Sequence, residues 1–107
     1  PLVVIESLAC GCRVVMTDLP GVDSWMPEGL CAEGCVERVS LPRLIGADTP
    51  VADDLPRFVA ELAAALNRQL ARSLECGRPS DAACRLASLA WKEVFDRMRT
   101  AYQELAK

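Results

Sequence analysis

The apolar residues crowd the start of the chain. Leu2, Val3, Val4, Ile5, Leu8 and Ala9 leave only Glu6 and Ser7 as polar positions in the first run. That density, closed by Gly11, predicts a helix over residues 2–10, because a helix commonly ends on a glycine that takes positive φ at little cost. Val14 and Val15 then form a short β-branched run that, with Met16, lies between turn residues. It predicts a strand over residues 13–16, buried on both faces as in a parallel sheet. Thr17-Asp18-Leu19-Pro20-Gly21 follows as a polar loop at the carboxyl end of that strand, the end at which open α/β sheets bind their ligands.

Residues 22–26 form a short amphipathic stretch of one or two helical turns, with Trp25 and Met26 available to a core. Pro27-Glu28-Gly29 punctuates it, and residues 30–34 read as a turn or short irregular strand. Apolar and polar positions are mixed over residues 35–41 (Cys35, Val36, Glu37, Arg38, Val39, Ser40, Leu41), which predicts a second, partly exposed strand at a sheet edge. Pro42 stops it. Residues 42–52 contain Gly46, Asp48, Thr49 and Pro50 and read as a loop. Asp53 and Asp54 stand before a periodic run and are candidate helix N-caps.

Leu55, Phe58, Val59, Leu62, Leu66 and Leu70 recur at three- and four-residue steps, so an amphipathic helix is expected over residues 54–74. Pro56 falls in its first turn, where its missing N–H does no harm. Gly77 and Pro79 end it. Ser80 or Asp81 then caps a last helix running to about residue 105, with Ala83, Leu86, Ala90, Val94, Met98, Ala101, Tyr102 and Leu105 on one stripe. Lys92, Glu93, Asp96, Arg97 and Arg99 make its solvated face. Helices alternating with short strands define an α/β class.

Composition narrows the function classes. The chain has 107 residues, enough for one domain (1–107) with a real core and too few for two. With 12 basic and 15 acidic side chains its formal charge is −3, so it lacks the basic field of a general nucleic-acid binder. No apolar run reaches the roughly 18 residues of a membrane span. The start lacks the basic region and cleavage site of a signal peptide, and the chain is expected to be cytoplasmic.

Six cysteines (Cys10, Cys12, Cys31, Cys35, Cys76 and Cys84) permit a disulfide framework or a zinc site built on the pairs Cys10/Cys12 and Cys31/Cys35. The helix-rich pattern and the absence of the two-residue zinc-knuckle spacing favour a third reading, free thiols acting as small apolar residues. No metal site and no cofactor are expected. The chain contains no histidine, which excludes a histidine base and Cys-His or Ser-His nucleophile pairs. It also lacks glycine-rich phosphate loops and the Gly-x-Ser-x-Gly elbow. No self-contained catalytic constellation is present.

Residues Ile5-Glu6-Ser7-Leu8-Ala9-Cys10-Gly11, followed by Val14-Val15, Thr17-Asp18 and Gly21, resemble the C-terminal domain of group-one (retaining, GT-B fold) glycosyltransferases. In that family a stretch of the type Glu-Gly-Leu-Pro-Leu-Val-x-Ile-Glu-Ala-x-Ala-x-Gly carries two glutamates. Glu6 matches the second, and the first would fall two residues before Pro1. The specific part of the likeness spans about residues 1–26. Where the family often has Gly-Gly-x-Pro-Glu, this chain has Pro20-Gly21-Val22-Asp23-Ser24. Trp91, Val94, Tyr102 and Leu105 fall at the spacing of the family's closing helix.

The resemblance implies a partial Rossmann-like fold, the C-terminal part of a nucleotide-sugar-binding domain, with few parallel strands and three to four helices. It also implies transfer of a glycosyl group from a nucleotide-sugar donor to an acceptor hydroxyl with retention. Glu6 would accept hydrogen bonds from ribose hydroxyls, since an ionised carboxylate only accepts. The backbone N–H groups of Leu2 and Val3 would face the diphosphate, and Thr17 and Asp18 are candidate loop contacts. A chain without the first glutamate and the acceptor domain is expected to be inactive alone, and to form a homo-oligomer through its uncovered edges. The alternative reading is a non-catalytic α/β interaction or structural domain.

Overall fold

The first helix and strand form where the hydrophobic pattern puts them, and one turn joins them. Helix α1 spans Leu2–Ala9 and strand β1 spans Val14–Thr17. Between them Gly11 has φ 79°. The N–H of Cys12 donates to the carbonyl of Ser7 at 2.9 Å, and the N–H of Gly11 donates to Leu8 at 3.0 Å. This paired pattern around a left-handed glycine satisfies the last helical carbonyls and turns the chain back on itself. Helix α1 therefore runs against β1, with its N-terminus at the end of the sheet where β1 finishes.

The computed structural model describes residues 2–27, 29–31, 33–79 and 86–107. Among these residues its class is mixed α/β: three helices and a few short strands in two small sheets. Strand β2, Val36–Val39, pairs in parallel with β1, Val14 opposite Val36 and Thr17 opposite Val39. Residues 22–24 make a single 3-10 turn within the connection, where residues 22–26 predicted one. Leu30 is fully buried beneath it.

Residues 42–52, expected as a loop, instead contain a small antiparallel hairpin, β3 (Leu44–Ile45) against β4 (Thr49–Pro50), closed by Gly46 at φ 74°. Two residues per strand are too few to show an alternation in sequence.

Helix α2, Leu55–Cys76, lies across the parallel pair and runs two residues beyond the predicted end, to a C-cap at Gly77. Asp54 occupies its N-cap position but makes no side-chain cap. Its carboxylate accepts from Arg43 instead, from the backbone N–H at 2.8 Å and from Nε and Nη2 at 2.9 Å each. A fork-on-fork ion pair with an added backbone bond outweighs a single cap bond, and it pins the hairpin to the helix start. Asp53 lies in the 3-10 turn of residues 52–54, likewise without a cap bond.

The last helix departs most from expectation. Helix α3 spans only Trp91–Leu105. A 3-10 turn at Ala87–Leu89 and an extended Ala90, with ψ 144°, separate it from what precedes. The predicted caps Ser80 and Asp81, and the stripe residue Ala83, lie outside the described residues. Leu86 is buried, but no residue of α3 is. Of the predicted stripe, Val94 is half-buried, and Met98, Tyr102 and Leu105 are exposed among the described residues.

Side-chain alternation sorts the strands into two faces. Val14, Met16 and Val36 join Val4, Leu8, Val22, Leu30, Cys35 and Leu86 in the core on the α1 side. Val15, Thr17, Glu37 and Val39 face α2. Strand β1 was expected to be buried on both faces, yet only Met16 is buried and its neighbours are half-buried. The cause is that β1 has one strand neighbour among the described residues, and α2 covers its second face with only a narrow seam around Ala65 and Gln69.

Buried Gln69 donates from Nε2 to the carbonyl of Val14 at 2.9 Å and of Cys35 at 3.5 Å, tying both strand starts to α2. Glu37 binds Arg68 at 2.5 Å and Arg72 at 2.8 Å across the same seam. Gly34 has φ 75°, and a Cβ there would meet Arg72 Nε at 2.8 Å, so the turn before β2 requires glycine. The resulting body is a slab of 55 × 40 × 18 Å with a radius of gyration of 17.1 Å. A compact chain of this length would have about 13 Å.

These ion pairs set an acid limit. Arg68, and then Arg72, hold the Glu37 carboxyl below its ordinary value of 4.5. Arg43 holds Asp54 down to about 2 from 3.8. A carboxyl whose value is lower in the folded than in the unfolded chain adds stability above the unfolded value and loses it as pH falls toward the folded one. The urea midpoint is therefore expected to stay level from neutral pH to about 5 and to fall progressively from there toward pH 2. The double variant Glu37→Gln/Asp54→Asn should show a flatter decline in the same titration.

Candidate functional site

The candidate site residues come from two places on one end of the molecule. Leu2 and Val3 open helix α1, where the first N–H groups of a helix have no intrahelical partner. Both side chains are exposed. Glu6 lies one turn further along. Its carboxylate is exposed, and no hydrogen bond or ion pair reaches it among the described residues. At the same end of the sheet, Thr17 closes β1 and Asp18 begins the loop. No hydrogen bond joins Glu6 to Thr17 or Asp18.

Asp18 is not free. Arg38, in β2, donates to Asp18 from Nη2 and to Asp23 from Nη1 at 2.6 Å. The two carboxylates, Asp23 first, push the guanidinium further above its already high value, so it stays charged at every accessible pH. The period of two places Arg38 on the same face as Val36, beneath the loop of residues 18–24. Its Nε atom is buried without a hydrogen-bond partner.

Arg38 thus clamps the end of β1 to the 3-10 turn, supported by the Ser24 hydroxyl donating to the carbonyl of Gly21 at 2.6 Å. A second arginine, Arg13, holds the opposite end, donating to the carbonyl of Gly34 at 3.1 Å and of Gly77 at 3.3 Å. No sequence motif marks out either arginine. A charged residue at the core-facing step of an alternating strand was the available signal for Arg38.

Glu6 borders a cavity of about 330 Å³ between α1 and the segment leading into α3. Leu2, Ile5, Glu6 and Ala9 supply one wall, at the three- and four-residue steps of a single helix face. Leu89, Trp91 and Val94 stand opposite. Among the described lining residues Glu6 is the sole charged group. Trp91, matched in sequence only to a closing helix, is the aromatic element of this cavity.

No group of three or more potential metal ligands occurs among the described residues. Cys10, Cys12, Cys31 and Cys76 are exposed, Cys35 is buried, and no disulfide joins them; Cys84 lies outside the described residues. No described helix is long and apolar enough to cross a membrane. No protein-family model, curated protein or solved structure matches the chain.

Replacing the clamp tests its role. Arg38→Met keeps the aliphatic stem and removes both ion pairs, leaving Asp18 and Asp23 unpaired. Hydrogen exchange is expected to accelerate at Val22, Ser24 and Trp25 by about tenfold, with the amides of α2 unchanged. A change of that size confined to residues 22–25 is a local opening of the loop. Uniform acceleration over both regions would show global destabilisation instead of a local clamp.

Proposed function

We propose that this chain is the C-terminal part of the donor-binding domain of a retaining glycosyltransferase, cytoplasmic, acting on a nucleotide-sugar donor. The observation that carries the reading is the exposed carboxylate of Glu6, unpartnered among the described residues, one turn into a helix whose amino end lies beside the carboxyl ends of two parallel strands. That helix, its left-handed glycine turn and the following strand coincide with the stretch of sequence that resembles the family. A helix N-terminus suits the diphosphate of a donor. An acceptor-only carboxylate nearby suits ribose hydroxyls, each such bond contributing about 1.5–3 kcal/mol. In this reading Leu2 and Val3 offer backbone N–H groups, Thr17 borders the site, and Asp18 acts through its hold on Arg38. The parallel pair would be the remnant of a wider Rossmann-like sheet.

The reading is tested by titrating uridine, adenosine and guanosine diphosphates into the isotope-labelled chain. The expected outcome is that one nucleotide shifts the amides of Leu2, Val3 and Glu6, and that Glu6→Ala weakens it by about tenfold or more. Shifts scattered over the slab, or equal affinity in the variant, would overturn it. The chain by itself is expected to transfer no sugar.

A second reading, an interaction domain, is favoured by one observation. Val59, Leu66, Leu70 and Leu74 on α2, and Phe95, Met98, Tyr102 and Leu105 on α3, form exposed apolar stripes, and large uncovered apolar patches mark interfaces. Under either reading the isolated chain is expected to self-associate through these stripes or through the open edges of the β1–β2 pair. Sedimentation equilibrium at micromolar concentration should give a dimer or larger species, whereas a sharply melting monomer would count against it.

A further inference from the structure

We propose that the cavity between α1 and the start of α3 binds an organic ammonium ion with an apolar body, held by the Glu6 carboxylate and the face of Trp91. The lining decides the ligand class. Apart from Glu6, the described walls are aliphatic or aromatic: Leu2, Ile5, Ala9, Leu89 and Val94 with Trp91. Apart from the Glu6 carboxylate and the Trp91 indole N–H, the described walls offer no hydrogen-bonding side chain to a hydroxylated ligand, and the carboxylate disfavours an anion inside the cavity. A neutral apolar molecule would fill the space but strip water from Glu6 without replacing its hydrogen bonds, which is costly for a charged group. A cation with an apolar body meets both conditions.

The volume of about 330 Å³ lies at the small end of the range for small-molecule sites, roughly 300–1,000 Å³. Trp91 is 67% exposed, and its ring is steadied by stacking on Phe95, centroids 5.9 Å apart at 30°. Tryptophan is the strongest of the aromatic faces toward a cation. Among the described lining side chains Glu6 is the one strong acceptor, so a tertiary or quaternary ammonium fits better than a primary one, which would leave N–H donors unmet.

The proposal does not rest on the sugar-donor reading, although both use Glu6. Calorimetric titration of the 107-residue chain with 3-phenylpropyltrimethylammonium tests it, with 3-phenylpropanol as neutral comparator and 3-phenylpropionate as anionic one. The expected result is saturable one-to-one binding of the ammonium with quenching of tryptophan fluorescence. The alcohol should bind about tenfold more weakly and the anion more weakly still. Glu6→Gln, at an exposed position and nearly the same size, should cost about tenfold. Trp91→Leu should weaken binding by about fivefold and abolish the quenching.

No saturable binding at roughly millimolar ligand, equal affinity for ammonium and alcohol, or an unchanged Glu6→Gln would each overturn the proposal. Uridine diphosphate, run in parallel, separates the two readings. Nucleotide binding without ammonium binding sinks the ammonium site alone, and ammonium binding without nucleotide binding leaves it standing while the donor reading falls.

Discussion

Two parallel strands of four residues cannot hold together in water on their own ladder of hydrogen bonds. The whole molecule depends on how β1 and β2 are held between helices. On one face Val4 and Leu8 of α1 meet Met16 and Val36, and Val22 and Leu30 of the connection close over them. On the other face α2 offers a narrower seam, and polar groups carry part of the load. Gln69 bonds both strand starts, and Glu37 holds Arg68 and Arg72. A buried amide satisfied by two backbone carbonyls also fixes the position of the helix along the strands, which apolar contact alone does not do.

This economy explains the shape. The core is one small cluster, and the 22-residue helix α2 buries only Ala65 and Gln69. Helix α3 buries nothing. A chain that folds around so thin a sheet leaves apolar stripes on both long helices, and the radius of gyration exceeds that of a compact domain. The same economy exposes the amino end of α1 and the carboxylate of Glu6. The groove against Trp91 persists because the backbone at Ala90 is extended, and this stops the last segment from packing as one continuous helix.

Arginines do the positioning at both ends of the sheet. Arg38 gathers Asp18 and Asp23 over the carboxyl end, and Arg13 ties the amino end to the carbonyls of Gly34 and Gly77. The guanidinium suits this work because it stays charged and presents several donors in a fixed plane. The loop that begins at Asp18 is thereby held from beneath by a residue twenty positions away in sequence.

Several features follow from local sequence alone. The apolar run of residues 2–9 with Gly11 behind it determines α1 and its turn, because no other residue takes φ 79° so cheaply. The three- and four-residue steps from Leu55 determine α2, and the β-branched Val36 and Val39, one on each face, favour β2. Other features required the tertiary structure. Asp54 stands where a cap belongs, yet Arg43 claims it, since a bidentate ion pair across eleven residues is stronger than the local bond. The apolar pattern across residues 81–105 reads as one helix, but a side-chain period carries no information on where backbone continuity breaks, and it breaks at Ala90. Strand β1 looks buried on both faces because valine and methionine only state a preference for burial. How much burial they obtain is set by how many strands and helices arrive, and here a single strand neighbour and a narrow helix seam leave it half covered.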